Sequence, residues 1–245
     1  MLKSLKNAWV YENAMVFGNA KVSGTAQIFG DAQVYDDVMI FGDAQVEGAA
    51  TVSDKAKVYD GALVSDNAHV SENAHVYDEA MIFGNAVVTG KARVYGDATV
   101  FGNALVTNYT QVYNNAQVLG TAQITDKALV RGNARIFGDA RIFDDAQVYG
   151  DAKVYDNAQI FGYASVSGNA WVYGDARIYD CARVFENAKV FGDARVFGDA
   201  GVFENAKVLG DAWIYDESFV VGNACIFGDA RVCHKARVGS YNQNV

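Results

Sequence analysis

Proline is absent from this chain, and cysteine and histidine are scarce. The 245 residues include no proline, three cysteines and three histidines. Proline has no backbone N–H and is confined to sheet edges and bulges, so its absence fits a chain whose N–H groups are almost all hydrogen-bonded in strands. The cysteines form no CxxC pair, and their odd number argues against a disulfide framework, so we predict a reducing, cytoplasmic setting.

Long apolar runs and a basic surplus are missing as well. No stretch approaches the roughly 18 consecutive apolar residues of a membrane span, and the first residues lack the apolar run of a signal peptide. The formal net charge is −9. Such an acidic chain is not predicted to bind nucleic acid directly, because that function needs a basic surface.

A six-residue repeat occupies the rest of the sequence. Every sixth residue from Val10 to Val238 is Val or Ile, at 39 of 39 positions. The residue two positions earlier is Ala in 36 of 39 repeats, the exceptions being Val38, Thr110 and Ser218. No insertion or deletion interrupts the spacing. On a strand, residues two apart point to the same side, so the small and aliphatic residues predict one continuous interior.

Turn-forming residues occupy the second position after each Val or Ile. Of 38 such positions, 21 are Gly, ten are Asp and two are Asn. These residues accept positive φ or make local side-chain turns, so each repeat predicts a short strand and a tight bend. Three repeats make an 18-residue coil. We therefore predict a single-domain, all-β triangular solenoid of about 13 coils without inserted loops over residues 8–238, with an N-terminal cap at residues 1–7 and a C-terminal tail at residues 239–245.

The Ala-x-Val spacing resembles the bacterial hexapeptide-repeat superfamily over residues 8–238. This resemblance implies a left-handed parallel β-helix, and the superfamily includes many acyltransferases. Here an aromatic residue stands between the aliphatic residue and the glycine, as in Val16-Phe17-Gly18 and Val94-Tyr95-Gly96. That departure makes the chain more similar to uncharacterised hexapeptide proteins with A-x-V-x-G-[DN] repeats, which are assigned as transferases from fold alone.

Outward-facing aromatic residues distinguish the three predicted faces. An aromatic residue follows the aliphatic one in 24 of 39 repeats. Stacked rings can simply stiffen a parallel sheet, but a long apolar column is also a candidate interface. One face carries a tyrosine run from Tyr59 to Tyr113, and another carries the hydroxyl column Ser53, Ser71, Thr89, Thr107 and Thr125. On the remaining face, the predicted interface residues are Phe83, Phe101, Phe137, Tyr155, Tyr173, Phe191 and Phe227.

These observations predict a non-enzymatic structural or binding solenoid. We expect it to form a homo-oligomer by side-by-side packing of aromatic faces, and a different protein is an alternative partner. The first alternative is an acyltransferase that uses a coenzyme-A thioester at a subunit interface, with His75 or His69 as the base. The second is an acidic rod that mimics DNA. No cofactor or metal is predicted: His69 and His75 are six apart and belong to different faces, and Cys225 and Cys233 form no zinc pattern.

Overall fold

A computed structural model describes residues 7–239 of the chain. Residues 1–6 of the predicted cap and residues 240–245 of the predicted tail lie outside the described residues. The chain forms two compact units, Met1–Asp126 and Lys127–Val245, which are described separately. In a repeat array each coil contacts only its neighbours, so such a division needs no change in the sequence pattern. The single repeat domain stays a prediction.

The first unit contains twenty two-residue strands, β1 to β20, separated by four-residue turns. In chain order they are Trp9–Val10, Met15–Val16, Lys21–Val22, Gln27–Ile28, Gln33–Val34, Met39–Ile40, Gln45–Val46, Thr51–Val52, Lys57–Val58, Leu63–Val64, His69–Val70, His75–Val76, Met81–Ile82, Val87–Val88, Arg93–Val94, Thr99–Val100, Leu105–Val106, Gln111–Val112, Gln117–Val118 and Gln123–Ile124.

The second unit contains nineteen strands of the same length, β21 to β39. They are Leu129–Val130, Arg135–Ile136, Arg141–Ile142, Gln147–Val148, Lys153–Val154, Gln159–Ile160, Ser165–Val166, Trp171–Val172, Arg177–Ile178, Arg183–Val184, Lys189–Val190, Arg195–Val196, Gly201–Val202, Lys207–Val208, Trp213–Ile214, Phe219–Val220, Cys225–Ile226, Arg231–Val232 and Arg237–Val238.

Every third strand pairs in parallel, so each unit has three sheets. In the first unit, the first sheet begins at β1, the second at β2 and the third at β3. In the second unit, the first sheet begins at β22, the second at β23 and the third at β21. Paired residues are 18 apart, as in Trp9 opposite Gln27 and Arg135 opposite Lys153. The predicted 18-residue coil and all-β class are confirmed, while left-handedness stays a prediction from the resemblance.

The interior of each unit is made of the repeated alanine and aliphatic columns. From Ala26 to Val220 these residues are fully buried, including the exceptional Val38, Thr110 and Ser218. Alanine leaves room for three short strands to enclose a narrow core, and the β-branched Val or Ile fills it. The assignment of inward and outward positions is confirmed.

The corners have the backbone conformation that the sequence predicts. Positive φ occurs at 17 non-glycine and 21 glycine corner residues between Glu12 and His234. At Gly102, with φ +79°, an added Cβ would lie 2.9 Å from the Gly120 carbonyl oxygen in the next coil. Both the conformation and the close coil-to-coil approach therefore favour Gly at this corner. The described residues contain no helix long and apolar enough to cross a bilayer.

Candidate functional surfaces

Stacked aromatic rings form a regular column on the first sheet of the second unit. Ring centroids lie 4.7 Å apart for Phe137–Tyr155, 4.8 Å for Tyr155–Tyr173 and 4.7 Å for Tyr173–Phe191, with planes parallel within 3°. The spacing follows from the separation of paired strands, about 4.8 Å. Each ring covers its neighbour's face, and the half-buried column presents ring edges to solvent.

The predicted interface residues are placed as the 18-residue spacing requires. In the first unit Phe83 and Phe101 stack at 4.9 Å. In the second unit Phe227 is 68% exposed, well above the half-buried rings of the same sheet. The columns are thus confirmed within each unit, whereas their use as an interface stays a prediction.

A second aromatic column in the second unit was not singled out from the sequence. It lies on the second sheet, and its rings stack at 4.8 to 5.1 Å. The signal was present in the same 18-residue spacing. The column consists of Phe143, Phe161, Tyr179, Phe197 and Tyr215.

The tyrosine run occupies the third sheet of the first unit. Tyr59, Tyr77, Tyr95 and Tyr113 stack at 4.8 Å. Burial, the largest cause, raises the pKa of Tyr59, Tyr77 and Tyr95 above 10.0. These phenols therefore stay neutral at physiological pH, and the Tyr95 hydroxyl donates a hydrogen bond of 3.3 Å to Gln111 Oε1.

His75 lies beside this run in an open, basic groove of about 650 Å³. It is paired in the third sheet with Lys57 and Arg93. Burial lowers the pKa of His75 below 6.5, and the charges of Lys57 and Arg93 lower it further. A neutral imidazole in a cationic groove has the protonation state of a base. The groove is lined by Asn19, Lys21, Asp37, Met39, Lys55, Lys57, Asn73 and His75.

His69 lies elsewhere. It belongs to the second sheet, where it is paired with Thr51 and Val87. The two histidines are therefore on different faces, as predicted, and the structure does not bring them together into one site.

Two tryptophans of the second unit are each held between two cations. Lys153 and Lys189 lie 4.7 and 4.4 Å from the Trp171 ring centroid. Arg195 and Arg231 lie 5.0 and 4.8 Å from that of Trp213. In this arrangement basic side chains cover neighbouring rings. Because both partners come from adjacent coils, the tryptophan faces are not free to stack on a ligand.

Corner carboxylates act mainly on the backbone of the next coil. Asp66 accepts a hydrogen bond of 3.0 Å from Gly84 N, and Asp144 accepts one of 3.0 Å from Gly162 N. Side-chain amides extend this pattern, as where Asn187 donates to Asn205 at 3.2 Å. The corner acids therefore link successive corners, in addition to adopting the positive φ that the turn needs.

One cluster of potential metal ligands occurs at a corner of the second unit. One ligand atom each from Asp216, Cys233 and His234 lies within 4.8 Å of the others. Cys233 Sγ is 2.7 Å from His234 Nδ1. Asp216 and His234 are 18 residues apart, which is the one signal of this cluster in the sequence, because Cys233 belongs to no short cysteine motif.

Three stretches match one family model, which is described as the YdcK beta solenoid repeat. They cover residues 32–48, 92–114 and 134–150. No curated protein matches the sequence. The similarity and the stacked parallel coils agree that the chain is a β-solenoid repeat protein, while closeness to hexapeptide-repeat transferases stays a prediction.

Proposed function

We propose that the protein is a non-enzymatic structural or binding solenoid that self-associates through the first-sheet aromatic column of its second unit. One observation carries the proposal: Phe137, Tyr155, Tyr173 and Phe191 form a flat, parallel strip of stacked rings. The strip has no surrounding loop in the described residues, since four-residue turns join all the strands. A flat strip fits another flat surface better than it fits a small ligand, which needs a concave site.

The corner next to this column leaves the ring edges accessible. Glycine follows the ring at Gly138, Gly174 and Gly192, and only Asp156 interrupts this series beside the four stacked rings. A glycine corner has no side chain that could cover the neighbouring edge. The apolar strip is therefore open to a partner along that side.

A second copy of the chain is the proposed partner. In a two-fold contact the same strip lies on both sides, so its own flatness and apolar character provide complementarity. Burying a large apolar side chain contributes about 1.5–3 kcal/mol. The four stacked rings are already partly buried in the free chain, so each contributes only part of this energy, and together they offset part of the cost of association.

The test compares two triple variants that remove equal numbers of stacked rings. In the first, Phe137, Tyr155 and Tyr173 are changed to Ser. In the matched control, Phe143, Phe161 and Tyr179 on the second sheet are changed to Ser. Light scattering should show a lower mass for the first variant and the parental mass for the control. Equal masses for both variants and the parent would exclude this face as the interface.

The acyltransferase alternative is favoured by one specific observation, the neutral His75 in a groove with Lys21, Lys55 and Lys57. Lysines suit the phosphates of a coenzyme-A thioester, and a neutral imidazole can accept a proton from an acyl acceptor. The test is acetyl transfer from acetyl-coenzyme A, measured for the parent, His75→Ala and the matched variant His69→Ala. Turnover that is lost only in His75→Ala would replace the non-enzymatic proposal.

The DNA-mimic alternative stays a prediction, as does the cytoplasmic setting. The corner carboxylates that would supply the negative lines also accept backbone hydrogen bonds, as Asp156 does from Gly174 N at 3.1 Å. That contact explains the acid at its position without a nucleic-acid-binding partner. A competition assay against double-stranded DNA for a DNA-binding protein tests this alternative.

A further inference from the structure

Asp216, Cys233 and His234 lie at one corner of the second unit, on two successive coils. Their ligand atoms are within 4.8 Å of one another. Asp216 and His234 are exposed and Cys233 is partly buried, so the cluster is open to solvent. We propose that these three side chains bind a divalent transition-metal ion of the zinc class. Metal binding at this corner would contradict the absence of metal that the sequence predicts.

The donor set determines the class of ion. A cysteine thiolate and a histidine imidazole prefer zinc and similar transition metals, whereas calcium and magnesium take oxygen ligands. One thiolate, one imidazole and one carboxylate would occupy three positions of a tetrahedral ion. The fourth position would then be open to water, since the cluster faces solvent.

The backbone at this corner differs from the other corners. His234 and Lys235 have φ values of +56° and +62°, and no other two consecutive described residues both have positive φ. Elsewhere the residue that follows a corner returns to negative φ. Two successive left-handed residues without glycine are uncommon, and strained backbone of this kind is concentrated at functional sites.

Neighbouring groups orient the proposed ligands. Asp216 Oδ2 accepts a hydrogen bond of 3.2 Å from His234 N, which fixes the carboxylate next to the imidazole. Tyr215, one coil below Cys233, is hydrogen-bonded to the Cys233 thiol, and this contact raises the pKa of Tyr215. Outer hydrogen bonds of this type hold first ligands in place at metal sites.

Metal binding requires one small movement. Cys233 Sγ and His234 Nδ1 are 2.7 Å apart, whereas two such ligands on a tetrahedral zinc ion are roughly 3.5 Å apart. Rotation of the exposed imidazole can supply the difference. The bound ion would join Asp216 to Cys233 and His234 across two coils, so it would act as a cross-link and stabilise the folded unit.

The experiment uses the full chain, freed of metal with a chelator and then dialysed against zinc sulfate. Bound zinc is measured by elemental analysis, and cobalt substitution reports thiolate ligation by its charge-transfer absorption. We expect one equivalent of zinc and a raised melting temperature in the parent. Cys233→Ser and His234→Gln should lose both effects, and Asp216→Asn should weaken binding by about tenfold or more.

Cys225→Ser is the matched control, because Cys225 is another exposed cysteine of the same unit. It should keep one equivalent of zinc and the cobalt absorption. Urea midpoints of the metal-free variants show whether each protein is folded before metal is added. The proposal is overturned if the folded parent binds no zinc, or if Cys225→Ser reduces binding as much as Cys233→Ser.

Discussion

The second sheet carries different outer columns in the two units. In the first unit the residue after the buried aliphatic position is Ser or Thr from Ser53 to Thr125. In the second unit the equivalent residue is aromatic from Phe143 to Tyr215. The inward alanine and aliphatic columns remain buried beside both. The same interior therefore supports either surface, which indicates that the fold depends on the inward residues and that the outward residues are available for function.

In the two columns, different interactions join the side chains of successive coils. Ser53 and Ser71 are only 3% and 6% exposed, and the Ser71 hydroxyl donates to Thr89 Oγ1 at 3.1 Å. Phe161 instead stacks on Phe143 at 4.8 Å and on Tyr179 at 4.9 Å. Small hydroxyls form hydrogen bonds between coils, and rings gain dispersion and packing. The difference predicts unequal consequences when single side chains are removed.

The largest expected change in stability distinguishes inward from outward positions. Ala98 is fully buried, whereas Thr99, the next residue, points outward. Ala98→Leu should destabilise the protein by about 3 kcal/mol or more, because the narrow core has no void for the added atoms. Thr99→Leu should change stability by less than about 0.5 kcal/mol. Urea unfolding measures both, and equal effects would contradict the assigned interior.

A smaller difference in stability is expected between substitutions in the aromatic column and in the hydroxyl column of the second sheet. Phe161→Ser should destabilise the second unit by about 1–3 kcal/mol, because two ring contacts of about 0.5–1.5 kcal/mol each are lost. Thr107→Ser on the second sheet of the first unit should have an effect below about 0.5 kcal/mol. Urea midpoints at constant slope provide the comparison. An equally large effect of Thr107→Ser would contradict the proposed difference between the hydroxyl column and the aromatic column.

The two buried hydroxyls that replace inward alanines offer a sharper comparison. Ser218 Oγ donates one bifurcated hydrogen bond, and the carbonyl oxygens of Tyr215 and Val232 lie 2.7 and 3.0 Å from it. Thr110 Oγ1 is buried and has no hydrogen-bond partner. Ser218→Ala should destabilise by about 1 kcal/mol, while Thr110→Ala should be neutral or stabilising, since an unpaired buried hydroxyl is unfavourable. Thermal unfolding distinguishes these signs, and a loss of stability in Thr110→Ala would contradict the unpaired assignment.

The smallest expected effect concerns pH. The pKa of His75 is lowered below 6.5 by burial and by Lys57 and Arg93. The unfolded chain therefore binds the proton more tightly, and stability falls as pH decreases through 6.5 towards the lower folded value. Between pH 7.5 and 5, His75→Gln should lose less stability than the parent, by under about 0.5 kcal/mol because the side chain is partly exposed. Urea unfolding at both pH values measures this difference, and a larger loss in the variant would reverse the assigned sign.

The repeat made most of the fold predictable. The Ala-x-Val spacing and the glycine or aspartate corners each specified one backbone conformation, so strands, corners and the 18-residue register could be predicted before the structure was known. The same 18-residue spacing predicted the aromatic columns, as where Phe83 stacks on Phe101. In a solenoid, sequence distance fixes spatial neighbours, and this makes the prediction unusually direct.

Features that depend on side-chain direction could not be predicted in the same way. The register places Cys233 one coil from Tyr215, but only the local backbone at His234 brings its imidazole to the thiol. The cations on both sides of Trp171 likewise depend on rotamers of long side chains. The unpaired Thr110 hydroxyl is a difference from Ser218 that the pattern does not contain.

The proposal that the first-sheet aromatic column of the second unit mediates self-association is tested most directly by the mass of the parent protein in solution. Multi-angle light scattering over a dilution series compares that mass with the chain mass of 26.4 kDa. We predict a mass at least twice the chain mass at the highest concentrations, decreasing on dilution or in the Phe137, Tyr155 and Tyr173 triple variant. A mass of one chain at every concentration would contradict self-association through the aromatic face.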